Sequence, residues 1–186
     1  MSMQVRRMNN FLYVDNSNVW IEGMRVSAVH KGLAVDIGDS IANNILDRDW
    51  KIDFGKLFLF AGGNKSSVKK ATLYGSRPPE NDSLWKAAAH KNFDLKIFDR
   101  NPANREKKID VQIATDILED SYQVIDPITN MVSLVAGDGD YVPVVQSLKR
   151  RNIYVEVLFW GHASRELQNE CDNFINLNER IKLIAL

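Results

Sequence analysis

The stretch LVAGDGDYVPVVQSLKRR, Leu134 to Arg151, reads as the end of a buried strand, a glycine-spaced turn and the start of a helix. Apolar residues run to Ala136, which suits a strand covered on both faces. Pro143 falls near the start of the following helix, where a missing backbone N–H costs little. Between strand and helix stand Asp138 and Asp140, separated only by Gly139. A tight turn accounts for the glycines. It does not account for two like charges where a buried strand ends.

The same alternation runs along the chain. Short apolar runs predict strands at Phe11–Asp15, Lys56–Gly63, Asp94–Asp99, Met131–Asp138 and Ile153–Gly161, with a last short one at Phe174–Leu177. Helical patterns lie between them at Ile37–Leu46, Asp82–Asn92, Lys108–Tyr122, Tyr141–Arg151 and Arg165–Cys171. No stretch has the composition of a linker or repeat, so residues 1–186 are expected to form one α/β domain around a mostly parallel sheet. In such sheets ligands bind beyond the carboxyl ends of the strands. Asp15 and Asp138 fall there, as do Asn64 and Asp99, so position alone does not choose among them.

Lys plus Arg and Asp plus Glu both total 24, so no overall field attracts polyanions, and contact with nucleic acid requires a local basic patch. The single cysteine, Cys171, excludes an internal disulfide and a four-cysteine zinc site, and fits a reducing compartment. The first apolar run ends at Asp15, too soon for a signal peptide or a membrane span, so a cytoplasmic protein without a membrane partner is expected.

The acids differ in their surroundings. At about 100° per residue, Ile109, Val111, Ile113, Ala114, Ile117 and Leu118 define one broad apolar helix face with Asp110 at its centre. Asp116 groups with Gln112, Glu119 and Asp120 on the polar side. A carboxylate aimed at a core needs a partner, so Asp110 needs one and Asp116 does not. Each acid has an ordinary structural explanation. Asp138 or Asp140 can cap a helix, Asp15 can cap the turn formed by Asn16, Ser17 and Asn18, and Asp110 can favour a helix dipole. Together, three distant segments bring acid to one edge of the sheet, which mutual repulsion disfavours without a cation. Mg²⁺ or Mn²⁺, which prefer oxygen ligands from a few carboxylates plus water and phosphate, suit such a set.

YVDNSNVW, KKIDVQIATDIL, LVAGDGDYVPVVQSL and ASRELQNECDNFINL, in this order and spacing, resemble the NYN domain, in particular its LabA-like branch, a relative of the PIN nucleases. The resemblance covers nearly the whole chain, Trp20 to Lys51 being less family-like. It implies a PIN-like three-layer sandwich and a metal-dependent ribonuclease site. Its motif falls on Asp15 and Asn18, then Asp110, then Asp138 and Asp140. The four aspartates are thus the expected catalytic and metal-binding groups. Asn18, Ser17, Arg105, Lys107 and Lys108 are the expected contacts to single-stranded RNA.

Other signals are weaker. AGGNKSS (Ala61–Ser67) lacks the spacing of a phosphate loop, and GDGDYV lacks the third glycine of a dinucleotide fingerprint. His30, His90 and His162 are scattered, and Cys171 suits packing. Lys65 and Arg100 stand near expected strand ends, whereas Lys149, Arg150 and Arg151 read as solvated surface. Trp20 and Tyr141 flank the acids and are candidates either to stack on bases or to pack in the core. Neutral charge predicts a short RNA footprint unless a partner or a homodimer adds basic surface. A non-catalytic RNA- or protein-binding regulator of the same fold is the alternative function. Toprim and haloacid-dehalogenase chemistries fit less well, because the first strand ends in Asp15 rather than glutamate and Ser17 stands where a second aspartate is required.

Overall fold

The computed structural model describes residues 8–77, 83–99 and 105–186, with backbone alone at residues 77, 83, 99 and 105–108. The first unit is β1 (Asn9–Asp15) leading directly into α1 (Asn16–His30), followed by α2 (Ile37–Ala42) and α3 (Phe54–Leu57). β2 (Val68–Arg77), α4 (Ser83–Ala89), β3 (Asp94–Asp99) and α5 (Arg105–Gln123) come next. β4 (Asn130–Val135), α6 (Val142–Arg150), β5 (Tyr154–Phe159), α7 (Arg165–Glu170) and β6 (Asn173–Asn176) complete the alternation. Among the described residues the six strands form one sheet in the order β3-β2-β1-β4-β5-β6, every neighbouring pair parallel.

β1 shows why the sheet is sandwiched. Successive strand residues point to opposite faces. Leu12 and Val14 pack with Val19 and Val26 of α1, with Phe54, Leu57 and Trp85, and with Trp50 and Trp160. Phe11 and Tyr13 face the other way, into Ile109, Ile113 and Ile117 of α5 and Val145 and Leu148 of α6. Each fully buried apolar side chain of this kind contributes about 2 kcal/mol, and the two cores clamp the sheet between helical layers.

Several expected elements differ. The run Lys56–Gly63 is helical rather than a strand: Asp53 caps α3 by accepting from the N–H groups of Gly55 and Lys56, and a π-helical turn continues over Phe58–Gly62. A continuous apolar run does not by itself distinguish a buried strand from a buried helix. The strand beside β1 is instead β2, in which Ala71 and Leu73 register with Leu12 and Val14. Lys65 and Asn64 therefore precede β2 and stand at the amino edge of the sheet, away from Asp15. Asn16, Ser17 and Asn18 open a 15-residue helix instead of a loop. Its weak apolar pattern includes Gly23, where a Cβ would collide with the rings of Trp50 and Trp160.

Strand order reverses direction between β1 and β4, the switch point at which a crevice opens beyond the carboxyl ends. The carboxyl end of β1 is Asp15, and the chain leaving β4 reaches Asp138 three residues after Val135. The glycines of that turn serve packing. Positive φ among the described glycines is confined to Gly32 and Gly63, while a Cβ on Gly137 would collide with the Phe159 ring.

Candidate active site

Asp15 is 3% exposed. One carboxylate oxygen, Oδ1, accepts from the Asn18 backbone N–H at 3.1 Å and so caps α1. Its Oδ2 faces the hydroxyl of Tyr141 at 3.2 Å. The same hydroxyl lies 3.0 Å from Oδ1 of Asp110, early in α5. A phenol has one proton, so Tyr141 donates to one of the two carboxylates at a time. The charge of Asp110 also acts on Asp15, so the two carboxyls resist ionising together.

The electrostatics follow from this arrangement. Burial, reinforced by the charge of Asp110 and opposed by the Asn18 N–H and the Tyr141 hydroxyl, pushes Asp15 up to about 7. Asp110 is raised too, first by burial and then by the charges of Asp138 and Asp140, against the bond from Tyr141. Tyr141 is raised well above the ordinary phenol range by burial and by both carboxylates, so it remains neutral. Among the described residues no basic side chain forms an ion pair with Asp15, Asp110, Asp138 or Asp140. Titratable groups pushed from their usual range at a crevice are characteristic of functional sites.

Asp138 and Asp140 are exposed on the turn after β4. Asp138 Oδ1 accepts from the Asp140 N–H at 3.1 Å, so Asp138 caps this turn while its second oxygen remains open. The structure thus joins Asp15 with Asp110 and holds Asp138 and Asp140 near enough to act on Asp110 by charge. Among the described residues no three acidic, histidine or cysteine side chains close into a ready-made metal cage. Asn18 and Ser17 lie in the first turn of α1, both half-buried. The side-chain oxygens of Asn16 and Asn18 are buried there without a hydrogen-bond partner. Arg105, Lys107 and Lys108 occupy the first turn of α5, before Asp110, and their side chains lie outside the described residues, as do Arg100 and the side chain of Asp99.

A hard divalent cation fits this donor set. It needs oxygen ligands, and Mg²⁺ is usually held by one or two carboxylates, its other positions filled by water and substrate phosphate. Two carboxyl groups without a cationic partner among the described residues, and two orphaned amide oxygens at the N-terminus of α1, match that requirement.

Asp116 supplies the contrast. It is buried, at 4% exposed, where the helical wheel placed it on an open polar face. The polar side of α5 is covered by the β2–β3 part of the sheet: Tyr74 donates to Asp116 at 2.6 Å, Lys96 pairs with it at 2.7 Å and Gln112 donates at 2.9 Å. One turn on, Asp120 receives the Tyr13 hydroxyl at 2.5 Å and Lys70 at 2.6 Å. Burial works against ionised Asp116, but Lys96, Tyr74 and Gln112 outweigh it and hold the carboxyl below its usual range. Asp116 is a neutralised structural group. Asp116→Ala should lower stability by about 2 kcal/mol, chiefly by leaving the buried Tyr74 hydroxyl unpaired, without weakening Mn²⁺ binding. Urea melts and a Mn²⁺ titration check both halves.

One further expectation changes and two open alternatives resolve. Val111 is 64% exposed and stands off the apolar face of α5. Tyr141 is fully buried between the two acids and has no face free for a base. Trp20 packs on the core with its ring 6.4 Å from that of Phe54. Lys149 and Arg151 are tied down as well, Lys149 to Glu170 and Asp172, and Arg151 to the Ser121 carbonyl and over the Tyr122 ring. Cys171 packs in the core, as anticipated, and burial raises its thiol. The Tyr141 bridge had no sequence signal beyond its place next to Asp140.

The NYN domain family model matches residues 12–178, a span that includes all four aspartates. The crystal structure of a protein of unknown function from Vibrio parahaemolyticus shares the fold. Its TM-score is 0.66 at 17% identity, covering 99% of this chain and 100% of that one. No curated protein matches the chain.

Proposed function

The chain belongs to the NYN domain family, and on that premise we propose that it is a Mg²⁺- or Mn²⁺-dependent ribonuclease hydrolysing single-stranded RNA, of the LabA-like branch. The observation that carries the proposal is the Asp15–Tyr141–Asp110 bridge at the switch point, with both carboxyls raised by burial and, among the described residues, lacking a cationic partner. A bound Mg²⁺ or Mn²⁺ would lower the pKa of an attacking water and offset charge on the phosphoryl oxygens. Asp15 and Asp110 would hold the ion, and Tyr141, donating between them, sets their spacing. Asp138 and Asp140, exposed on the turn, would complete the ion's contacts from the solvent side and orient the attacking water. Asn18 and Ser17 on α1, with Arg105, Lys107 and Lys108 on α5, are placed to take the RNA backbone. A carboxyl pair in which Asp15 is buried and Asp110 half-buried repels an uncompensated phosphate, so the site requires its cation before it accepts RNA.

Residues 1–186 would act as a single domain. No helix among the described residues is long and apolar enough to cross a membrane, which accords with a cytoplasmic site of action. A homodimer would add basic surface to a chain of zero net charge.

The decisive experiment incubates the full chain with end-labelled single-stranded RNA in Mn²⁺ or EDTA, with duplex RNA alongside. Cleavage of the single strand in Mn²⁺ alone is expected. RNA binding without cleavage would instead establish the regulator reading.

A further inference from the structure

A second concavity lies farther along the same edge of the sheet. A cavity of about 420 Å³ is walled by Val26, Val29 and Ile37 and flanked by His30 and His162, a volume within the range of small-ligand sites. Gly161 follows β5, Asn176 ends β6, and Asn178 lies two residues beyond it. Asp15 caps the start of α1 and the cavity is walled by Val26 and Val29 farther along that helix, so at about 1.5 Å per residue it lies roughly 15–20 Å from the acid. A few nucleotides of extended single strand bridge such a distance.

The cavity has a defined polarity. Asn176 Oδ1 accepts from the Asn178 backbone N–H at 2.9 Å, and Asn178 Oδ1 accepts from the Gly161 backbone N–H at 2.9 Å. Both amide oxygens are therefore committed, and both amides are left with an NH₂ group to offer. The two NH₂ nitrogens converge on Gly161, lying 2.9 and 3.2 Å from where its Cβ would stand. Only a residue without a side chain leaves that place open. His162 is steadied by Glu22 at 2.7 Å, and His30 is exposed at the end of α1.

We infer that this cavity is a nucleobase subsite selective for guanine, seating one base of the RNA whose phosphodiester lies at the acid cluster. Paired NH₂ donors complement two adjacent acceptors. Guanine presents such a pair, O6 and N7, on one edge, whereas adenine offers an acceptor beside a donor there. Unpaired RNA bases stack on histidine as on other aromatic rings and are read along their hydrogen-bonding edges, and the three aliphatic residues supply an apolar wall. The choice of RNA as the ligand rests on the ribonuclease reading, but the subsite's own test requires no cleavage.

Guanosine monophosphate, adenosine monophosphate and ribose 5-phosphate are titrated into the full chain in EDTA, following the side-chain NH₂ signals of Asn176 and Asn178 by NMR. Guanosine monophosphate should bind about tenfold more tightly than adenosine monophosphate, the scale of one base contact, and ribose 5-phosphate should leave both signals unmoved. Val29→Trp, which fills the cavity, should abolish the guanylate response. His30→Ala, at an exposed position, should weaken it severalfold without affecting folding. Equal binding of the two nucleotides would overturn the inference, as would a guanylate response unchanged in both variants.

Discussion

Asp138→Asn should lower Mn²⁺-dependent cleavage of single-stranded RNA by about a thousandfold while leaving the fold intact. The cation's stabilisation of transition-state charge amounts to several kcal/mol, and each 1.36 kcal/mol is a factor of ten in rate. Asn keeps the shape of Asp and can still accept the Asp140 N–H that caps the turn. Only the charge is lost, and with it the proposed hold on an ion. Without metal, the same substitution removes one of the two charges that raise Asp110, so melting should be unchanged or improved by roughly 0.5–1 kcal/mol. Added Mn²⁺ should stabilise the wild type by mass action through binding the native state, and the variant should lose that gain. Cleavage assays and melts with and without Mn²⁺, on wild type, Asp138→Asn and Asp138→Ala, separate the two roles. A purely structural cap would give Asn near neutrality, Ala a cost of about 1 kcal/mol, and no Mn²⁺ effect in any of the three. That outcome would sink the metal site.

The metal-free protein should become less stable as pH rises from about 5 to 8, opposite in sign to the effect of a paired carboxylate. Asp15 titrates near 3.8 in the unfolded chain and at about 7 in the fold. Below about pH 4 both states hold the proton, and its contribution to stability is fully present. Between the two values the unfolded chain releases the proton and the folded chain retains it, so stability drains away and is lost once pH passes about 7. Across the pH 5 to 8 window the loss is on the order of 3 kcal/mol. Asp116, held below its usual range by Lys96, Tyr74 and Gln112, acts in acid, with the opposite sign and outside this window. Urea melts in EDTA at pH 5, 6, 7 and 8 should therefore slope downward for the wild type and less steeply for Asp15→Asn, in which Asp110 alone keeps a raised carboxyl. Parallel slopes would show that Asp15 does not bear the unfavourable charge. Saturating Mn²⁺ at pH 8 should restore most of the loss, because an ion at Asp15 replaces the proton it has given up.

Much of the chain's order of strands and helices was legible because most units repeat a local physical rule, an apolar run followed by a helix that covers it. Asp94–Asp99 and the Asp138 turn were readable in this way. So were Asp15 and Asp138 as site candidates, since residues that end buried strands collect at one edge of a parallel sheet. Helical periodicity singled out Asp110 as an acid requiring a partner, and the Tyr141 hydroxyl is that partner. The span Lys56–Gly63 misled because its apolar run has no period that separates helix from strand. β2 was missed because Lys69, Lys70 and Thr72 interrupt its apolar character.

Tertiary structure alone decided the charge state of the acids. Asp110 and Asp116 share one helix and the same chemistry. Their environments diverge because Lys96 and Tyr74, from other strands, reach Asp116, while Asp15 and a neutral phenol meet Asp110. No local pattern encodes which cations and carboxylates the sheet order brings together. The glycine at 137 shows the same division: its identity was evident in the sequence, but its cause is the Phe159 ring of the neighbouring strand. Sequence by itself marked which residues are candidates for the proposed chemistry, because backbone period and strand ends are local. Their partners, and with them their pKa values, were settled only by strand order and packing, because electrostatic energy depends on distances between segments far apart in the chain.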